Sequence, residues 1–173
     1  MELDGKIFRL DLNLDLLKGN NLQRNLEVTV NEGRYLKFLY QEQREGSCRV
    51  RTTVIAKSFG VKPATVTEML QKLSEKGLLR YTRYHGADLT KKGVIEAEKL
   101  LRKHRILEVL FVKLLNYSSQ RACEEATKLD HYVSERLVNA ICQAYGHPEV
   151  CPCDKPTFND GECCEGKQLS GKR

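Results

Sequence analysis

Hydrophobic positions along this chain follow two different periods. Phe8, Leu10, Leu12, Leu14 and Leu16 alternate with Arg9, Asp11, Asn13 and Asp15, and Leu26, Val28 and Val30 resume the alternation after Gly19-Asn20-Asn21. A period of two puts alternate side chains on opposite faces of a strand, so residues 1–30 predict an N-terminal β-hairpin extension. Two strands alone are marginal in water, so it is expected to lie on the body or on a partner subunit.

From Asn31 the spacing turns helical: Tyr35, Leu36, Phe38, Leu39 and Tyr40 form the apolar face of a helix running to about Arg44. A short helix follows over Thr53 to Phe59 and closes at Gly60. A second begins at Pro63, whose missing N–H suits a first helical position, and buries Val66, Met69, Leu70 and Leu73 before Gly77. Leu78 to Tyr84 and Ala87 to Leu89 read as two strands joined around His85-Gly86. Thr90 is placed to cap a long helix from Lys91 to about Leu115. Asn116-Tyr117-Ser118 breaks it, a helix follows from about Ser119 to Tyr132, and Ser134 caps a last one through Tyr145. The tail from Gly146, with Pro148, Pro152 and Pro156, reads as irregular. The predicted fold is mainly α: a winged helix-turn-helix over residues 31–93, an all-helical domain over 94–146, and a Cys-rich tail over 147–173. The three helices of the second domain are too few to bury their apolar stripes alone, which predicts a homodimer.

Charge sharpens this picture. Residues 31–93 hold 13 Lys and Arg against 6 Asp and Glu, a surplus larger than the +6 of the whole chain. A basic winged segment suits the phosphate backbone of double-stranded DNA. On the second helix of the module, Lys62, Ala64, Thr65, Thr67 and Glu68 face away from the buried stripe and are predicted to lie nearest the bases; Arg51, Lys72, Arg83 and His85 are predicted to touch phosphates. No run of about 18 apolar residues and no export signal is present, so a cytoplasmic protein without membrane contact is expected. Seven cysteines is an odd number, which argues for free thiols or metal ligation over a disulfide framework.

His104 and Glu108 stand four apart on one helix, and Cys123, Thr127, Asp130 and His131 follow the i, i+4, i+7, i+8 spacing of one face of the next. An antiparallel pair would bring imidazole, carboxylate and thiolate together, a set suited to Fe(II), Mn(II) or Zn(II). In the tail, Cys151, Cys153, Cys163 and Cys164 supply four thiolates, enough for zinc or an iron-sulfur cluster, although adjacent cysteines often cannot both face one ion. Cys48 and Cys142 read as structural.

From Tyr35 to Pro152 the chain resembles the two-domain form of the diphtheria toxin repressor family, the metal-dependent regulators of iron and manganese. The resemblance rests on VKPATVTEMLQKLSEKGL, on Leu89-Thr90-Lys91-Lys92-Gly93, on Arg102-Lys103-His104-Arg105, on Glu124-Glu125-Ala126 and Asp130-His131, and on Gly146-His147-Pro148-Glu149 with Cys151-Pro152. It implies a homodimer that binds a palindromic operator and represses metal-uptake genes when metal is bound. It also implies that His104, Glu108 and Cys123, the last in place of the usual His, form one metal site. At the family's second site His131 matches and Asp130 shortens the usual Glu, but Thr127 and Arg34 replace ligands, and Lys37 stands where the manganese branch has a carboxylate. Arg34 is expected to pair with Asp130 as a built-in cation. Cys153 stands where His is common.

No nucleotide-binding Gly loop, nucleophile elbow or paired catalytic acid is present, so no enzyme is expected. The reading is a sequence-specific DNA-binding regulator responsive to Fe(II) or Mn(II). Two alternatives remain open here: a DNA-binding regulator that senses redox or iron-sulfur status through the tail cysteines, and a winged helix serving only as a protein-interaction scaffold.

Overall fold

The computed structural model describes residues 28–44 and 49–164, and the expected hairpin lies outside them except for its last residues. Those residues are not strand. Thr29 and Glu32 form a capping box: the Thr29 N–H donates to Glu32 Oε2 at 2.8 Å and the Glu32 N–H to Thr29 Oγ1 at 3.4 Å. That box starts helix α1 at Val30, so Val28 and Val30 flank a helix end and continue no alternation.

In order, the described elements are α1 (Val30–Arg44), α2 (Thr52–Phe59), α3 (Pro63–Glu75), β1 (Leu79–Thr82), β2 (Gly86–Leu89), α4 (Lys91–Leu115), α5 (Ser119–Leu129), α6 (Glu135–Ala144) and α7 (Gly161–Cys164). The strands pair antiparallel with Leu79 opposite Leu89 and Thr82 opposite Gly86, and Val50 adds an isolated bridge to Ala87. The wing is shorter than its apolar pattern suggested, because Arg83, Tyr84 and His85 form the turn, with Tyr84 at φ 67°.

Two clusters of buried side chains organise the chain. Leu36, Leu39, Ile55, Val66, Leu70, Leu73, Leu78 and Leu79 fill the first, beneath the winged module. Ile106, Leu107, Phe111, Ala122, Ala126, Val138 and Ile141 fill the second. Helix α4 belongs to both, giving Ala97 and Leu101 to one and Ile106, Leu107 and Phe111 to the other. Its start is fixed by Thr90, whose Oγ1 accepts from the Gly93 N–H at 3.1 Å and donates to Gly77 O at 2.7 Å. Its end is fixed by Asn116 in the left-handed region. No helix among the described residues is long and apolar enough to cross a membrane.

Helix α5 is shorter than expected, ending at Leu129 with Asp130 as its C-cap and a turn following. Helix α6 ends in a Schellman turn: the His147 N–H donates to Cys142 O at 2.8 Å and the Gly146 N–H to Gln143 O at 3.0 Å, with Gly146 at φ 69°. The tail has more structure than its prolines suggested. A bridge between Val150 and Pro156 closes a loop, and Phe158 packs edge-on to Tyr40 of α1 at 5.8 Å.

Candidate functional site

Helix α4 sets His104 and Glu108 one turn apart, and α5 crosses it so that Cys123 reaches the same point. His104 Nε2 is 3.1 Å from Glu108 Oε1 and 3.5 Å from Cys123 Sγ, and the three donor atoms lie within 4.8 Å of one another. His104 Nδ1 is 3.1 Å from Asp130 Oδ2, so donation from Nδ1 directs the Nε2 lone pair at Glu108 and Cys123. Asp130 is thus brought to the site as a partner of the imidazole. Its other partner is Lys37 of α1, in a buried ion pair. That overturns the expected pairing with Arg34, whose guanidinium instead stacks on the Phe59 ring at 5.2 Å. Arg34 and Lys37 lie one turn apart on the same face of α1, but only the Lys37 ammonium reaches Asp130, and Arg34 is exposed.

His131 does not join this group. A single helical face carrying Cys123 and His131 needs α5 to continue to Tyr132, and the turn after Leu129 instead places His131 against Gly33 of α1. Thr127 Oγ1 donates back to Cys123 O at 2.9 Å.

The loop after α6 extends the site in a way the spacing of the tail cysteines did not foretell. Cys151 and Cys153 meet Glu108, with the Cys153 thiol 3.8 Å from Glu108 Oε1. Cys163 and Cys164 instead join His147 and Cys142. The four-thiolate group that the tail spacing allowed, Cys151, Cys153, Cys163 and Cys164, is therefore not formed: the Val150–Pro156 bridge turns the first pair toward α4, while α7 carries the second pair to α6. Cys142, read as a plain core residue, belongs to the second group. The six described cysteines carry free thiols.

The electrostatics suit a cation. Burial pushes the Glu108 carboxyl up, but His104 and the neighbouring thiols outweigh burial and hold it below its ordinary value. Burial likewise opposes the charged His104, yet Asp130 and Glu108 raise it above its ordinary value. Burial and Glu108 push the Cys123 thiol up to about 12 and the Cys151 thiol up to about 11. Glu108 Oε2 is buried with no donor in hydrogen-bonding geometry among the described residues. A buried, ionised carboxylate with a spare oxygen, flanked by imidazole and thiols, fits a divalent metal.

The winged module presents the other face. Arg51, Thr53, Pro63, Thr67, Tyr81, Arg83 and Tyr84 line an open groove between α3 and the wing. Lys62, Ala64, Thr65 and Glu68 are exposed, as are Arg51, Arg83 and His85, and the Thr67 hydroxyl donates to Pro63 O at 3.0 Å. Lys72 is partly engaged, 3.7 Å from the buried Glu32 carboxylate, which Lys76 also holds at 2.8 Å. Burial raises the Glu32 carboxyl, but Lys76 and Thr29 outweigh it and hold it below its ordinary value. Tyr84, which the sequence pattern did not single out, is 86% exposed at the wing tip and lines the same groove.

Comparison with known proteins agrees with this two-part layout. Residues 27–87 match the family described as iron dependent repressor, N-terminal DNA binding domain, and residues 90–159 match iron dependent repressor, metal binding and dimerisation domain. An uncharacterised HTH-type transcriptional regulator of Methanocaldococcus jannaschii is 36% identical over 107 residues, covering 62% of this chain and 86% of the relative. The chain belongs to the iron-dependent repressor family. The HTH-type transcriptional regulator MntR of Lysinibacillus sphaericus is 32% identical to this repressor over 91 residues, 53% of this chain and 65% of the relative. A manganese-dependent transcriptional repressor in complex with manganese superposes with a TM-score of 0.69 at 32% identity, covering 74% of this chain and 58% of that one. The repressor is thus a metal-responsive, DNA-binding transcriptional regulator, which sets aside a winged helix that serves only as a protein scaffold.

Proposed function

We propose that this repressor binds a palindromic operator of metal-homeostasis genes as a homodimer when a divalent transition metal is held by His104, Glu108 and Cys123, with Cys151 and Cys153 completing the donor set. The observation that carries the reading is the convergence of those donor atoms on a buried carboxylate whose second oxygen accepts no hydrogen bond among the described residues. Thiols outnumber oxygens in the set. Soft sulfur donors suit iron(II) or zinc(II) better than manganese(II), and the description of the matched metal-binding domain as iron dependent favours iron(II) as the ion sensed.

The chain's own residues prepare the site. Asp130 fixes the His104 tautomer, and Lys37 neutralises Asp130 from the winged domain, so the inner edge of the site is tied to α1. His104 and Glu108 of α4, Cys123 of α5 and the Cys151–Cys153 loop would hold the ion, whose positive charge would favour keeping these three elements together. That ordering favours one spacing between the two heads of a dimer, and its leverage equals the difference in metal affinity between the two spacings. Leu114 at the end of α4 and Leu137 on α6 are 62% and 48% exposed, apolar surface for a second copy to cover. In the head, Lys62, Ala64, Thr65, Thr67 and Glu68 approach bases while Arg51, Arg83 and His85 take phosphates.

The test is fluorescence anisotropy on operator duplex, without oxygen, in chelator and in each metal. Iron(II) is expected to tighten binding about 5- to 150-fold, and His104→Ala to remove that gain while leaving weak binding in chelator unchanged. Equal affinity with and without every metal would end this reading.

A further inference from the structure

The second thiol group shares no residue with the sensing group, and its geometry is that of a coordination sphere. His147 Nδ1 lies 3.5 Å from Cys142 Sγ, 3.8 Å from Cys163 Sγ and 3.6 Å from Cys164 Sγ. All four donor atoms fall within 4.8 Å of one another. A tetrahedral zinc with Zn–S about 2.3 Å and Zn–N about 2.0–2.1 Å has N–S edges of about 3.5–3.6 Å and S–S edges of about 3.8 Å. We propose that Cys142, His147, Cys163 and Cys164 form a structural zinc site that clamps the C-terminal segment onto α6.

Three independent features build it. The Schellman turn that ends α6 folds His147 back over Cys142, with Gly146 and His147 both at positive φ. Asp160 caps the last turn, its Oδ1 accepting from the Cys163 N–H at 3.4 Å and its backbone O from the Cys164 N–H at 2.8 Å, which aims adjacent cysteines at one point. Arg102 is buried beside the group, with Nε and Nη2 in no hydrogen bond among the described residues and Nη1 3.8 Å from Asp160 Oδ2. Three thiolates, a neutral imidazole and a divalent ion sum to one negative charge, and a buried guanidinium is its natural counter-ion and N–H donor. Cys142 and Cys163 are buried and Cys164 is half-buried, as a closed structural site requires.

The clamp has work to do. Between His147 and Cys163 runs the loop that presents Cys151 and Cys153 to Glu108. Fixing both ends of that loop orders the two thiols before the sensing ion arrives. The zinc site is separate from the sensing site, so each can fail alone.

The test removes the sensing site first. In a His104→Ala, Cys123→Ser, Cys151→Ser, Cys153→Ser background of the full chain, purified under reducing conditions, elemental analysis is expected to find one zinc per chain, and cobalt(II) exchange to give the intense visible bands of tetrahedral sulfur coordination. Cys164→Ser in that background is expected to abolish both. Cys164→His, which keeps four donors, is expected to retain the ion with a shifted cobalt spectrum, and so separates ligation from misfolding. Zinc that persists in a Cys163→Ser, Cys164→Ser double variant would overturn the proposal. So would a background protein without metal whose thiols are all titratable or paired in disulfides.

Discussion

Asp130 is a buried carboxylate held from two sides, by the Lys37 ammonium of the winged domain and by the His104 imidazole of the helical domain. Breaking a buried pair leaves one charge stranded, so Lys37→Met is expected to cost about 3–5 kcal/mol in urea denaturation, and adding Asp130→Asn to regain part of it. His104 gives a pH signature. Its folded value is raised above the ordinary 6.5. Without metal, its contribution to stability is therefore fully present below pH 6.5 and lost as pH rises through the folded value. A plot of Tm against pH in chelator should fall more steeply over that window for the parent than for His104→Gln. Metal competes with the same proton, so affinity for the ion is expected to rise with pH across the same range.

At the scale of elements, close approach is the constraint. A Cβ on Gly93 would meet Leu78 O at 1.8 Å, because the first turn of α4 lies directly on the start of the wing. Gly93→Ala is expected to cost about 2–3 kcal/mol in thermal unfolding, the upper part of the range for overpacking. Much of this architecture could be read from local signals: Pro63, Thr90 and Ser134 each mark a helix start found in the structure. What local signals could not give was the return of the chain upon itself. Asp130 and His131 extend the helical pattern of α5, yet the helix stops before them. Lys37 and Asp130 are 93 positions apart, and nothing along the chain says which of two cations on α1 reaches Asp130. Likewise the spacing of Cys151, Cys153, Cys163 and Cys164 suggests one group, while the fold deals them to two separate clusters of donor side chains.

For the whole molecule, binding to DNA should carry the mark of phosphate contacts. The observed affinity is expected to fall linearly on a log–log plot against salt, and Arg83→Ala to flatten the slope by about 0.9 per chain engaged, measured by titration at several salt concentrations. Exposed Tyr84 beside Arg83 places an aromatic ring at the same edge of the groove.

Helix α4 runs unbroken for 25 residues from the wing to the far end of the second core. The His104 turn sits about 20 Å along it from Thr90 at 1.5 Å per residue, so a tilt of about 5° there would sweep the wing through about 2 Å. Such a rod would serve as a lever arm, with its fulcrum at an ion held by His104 and its long end at the wing.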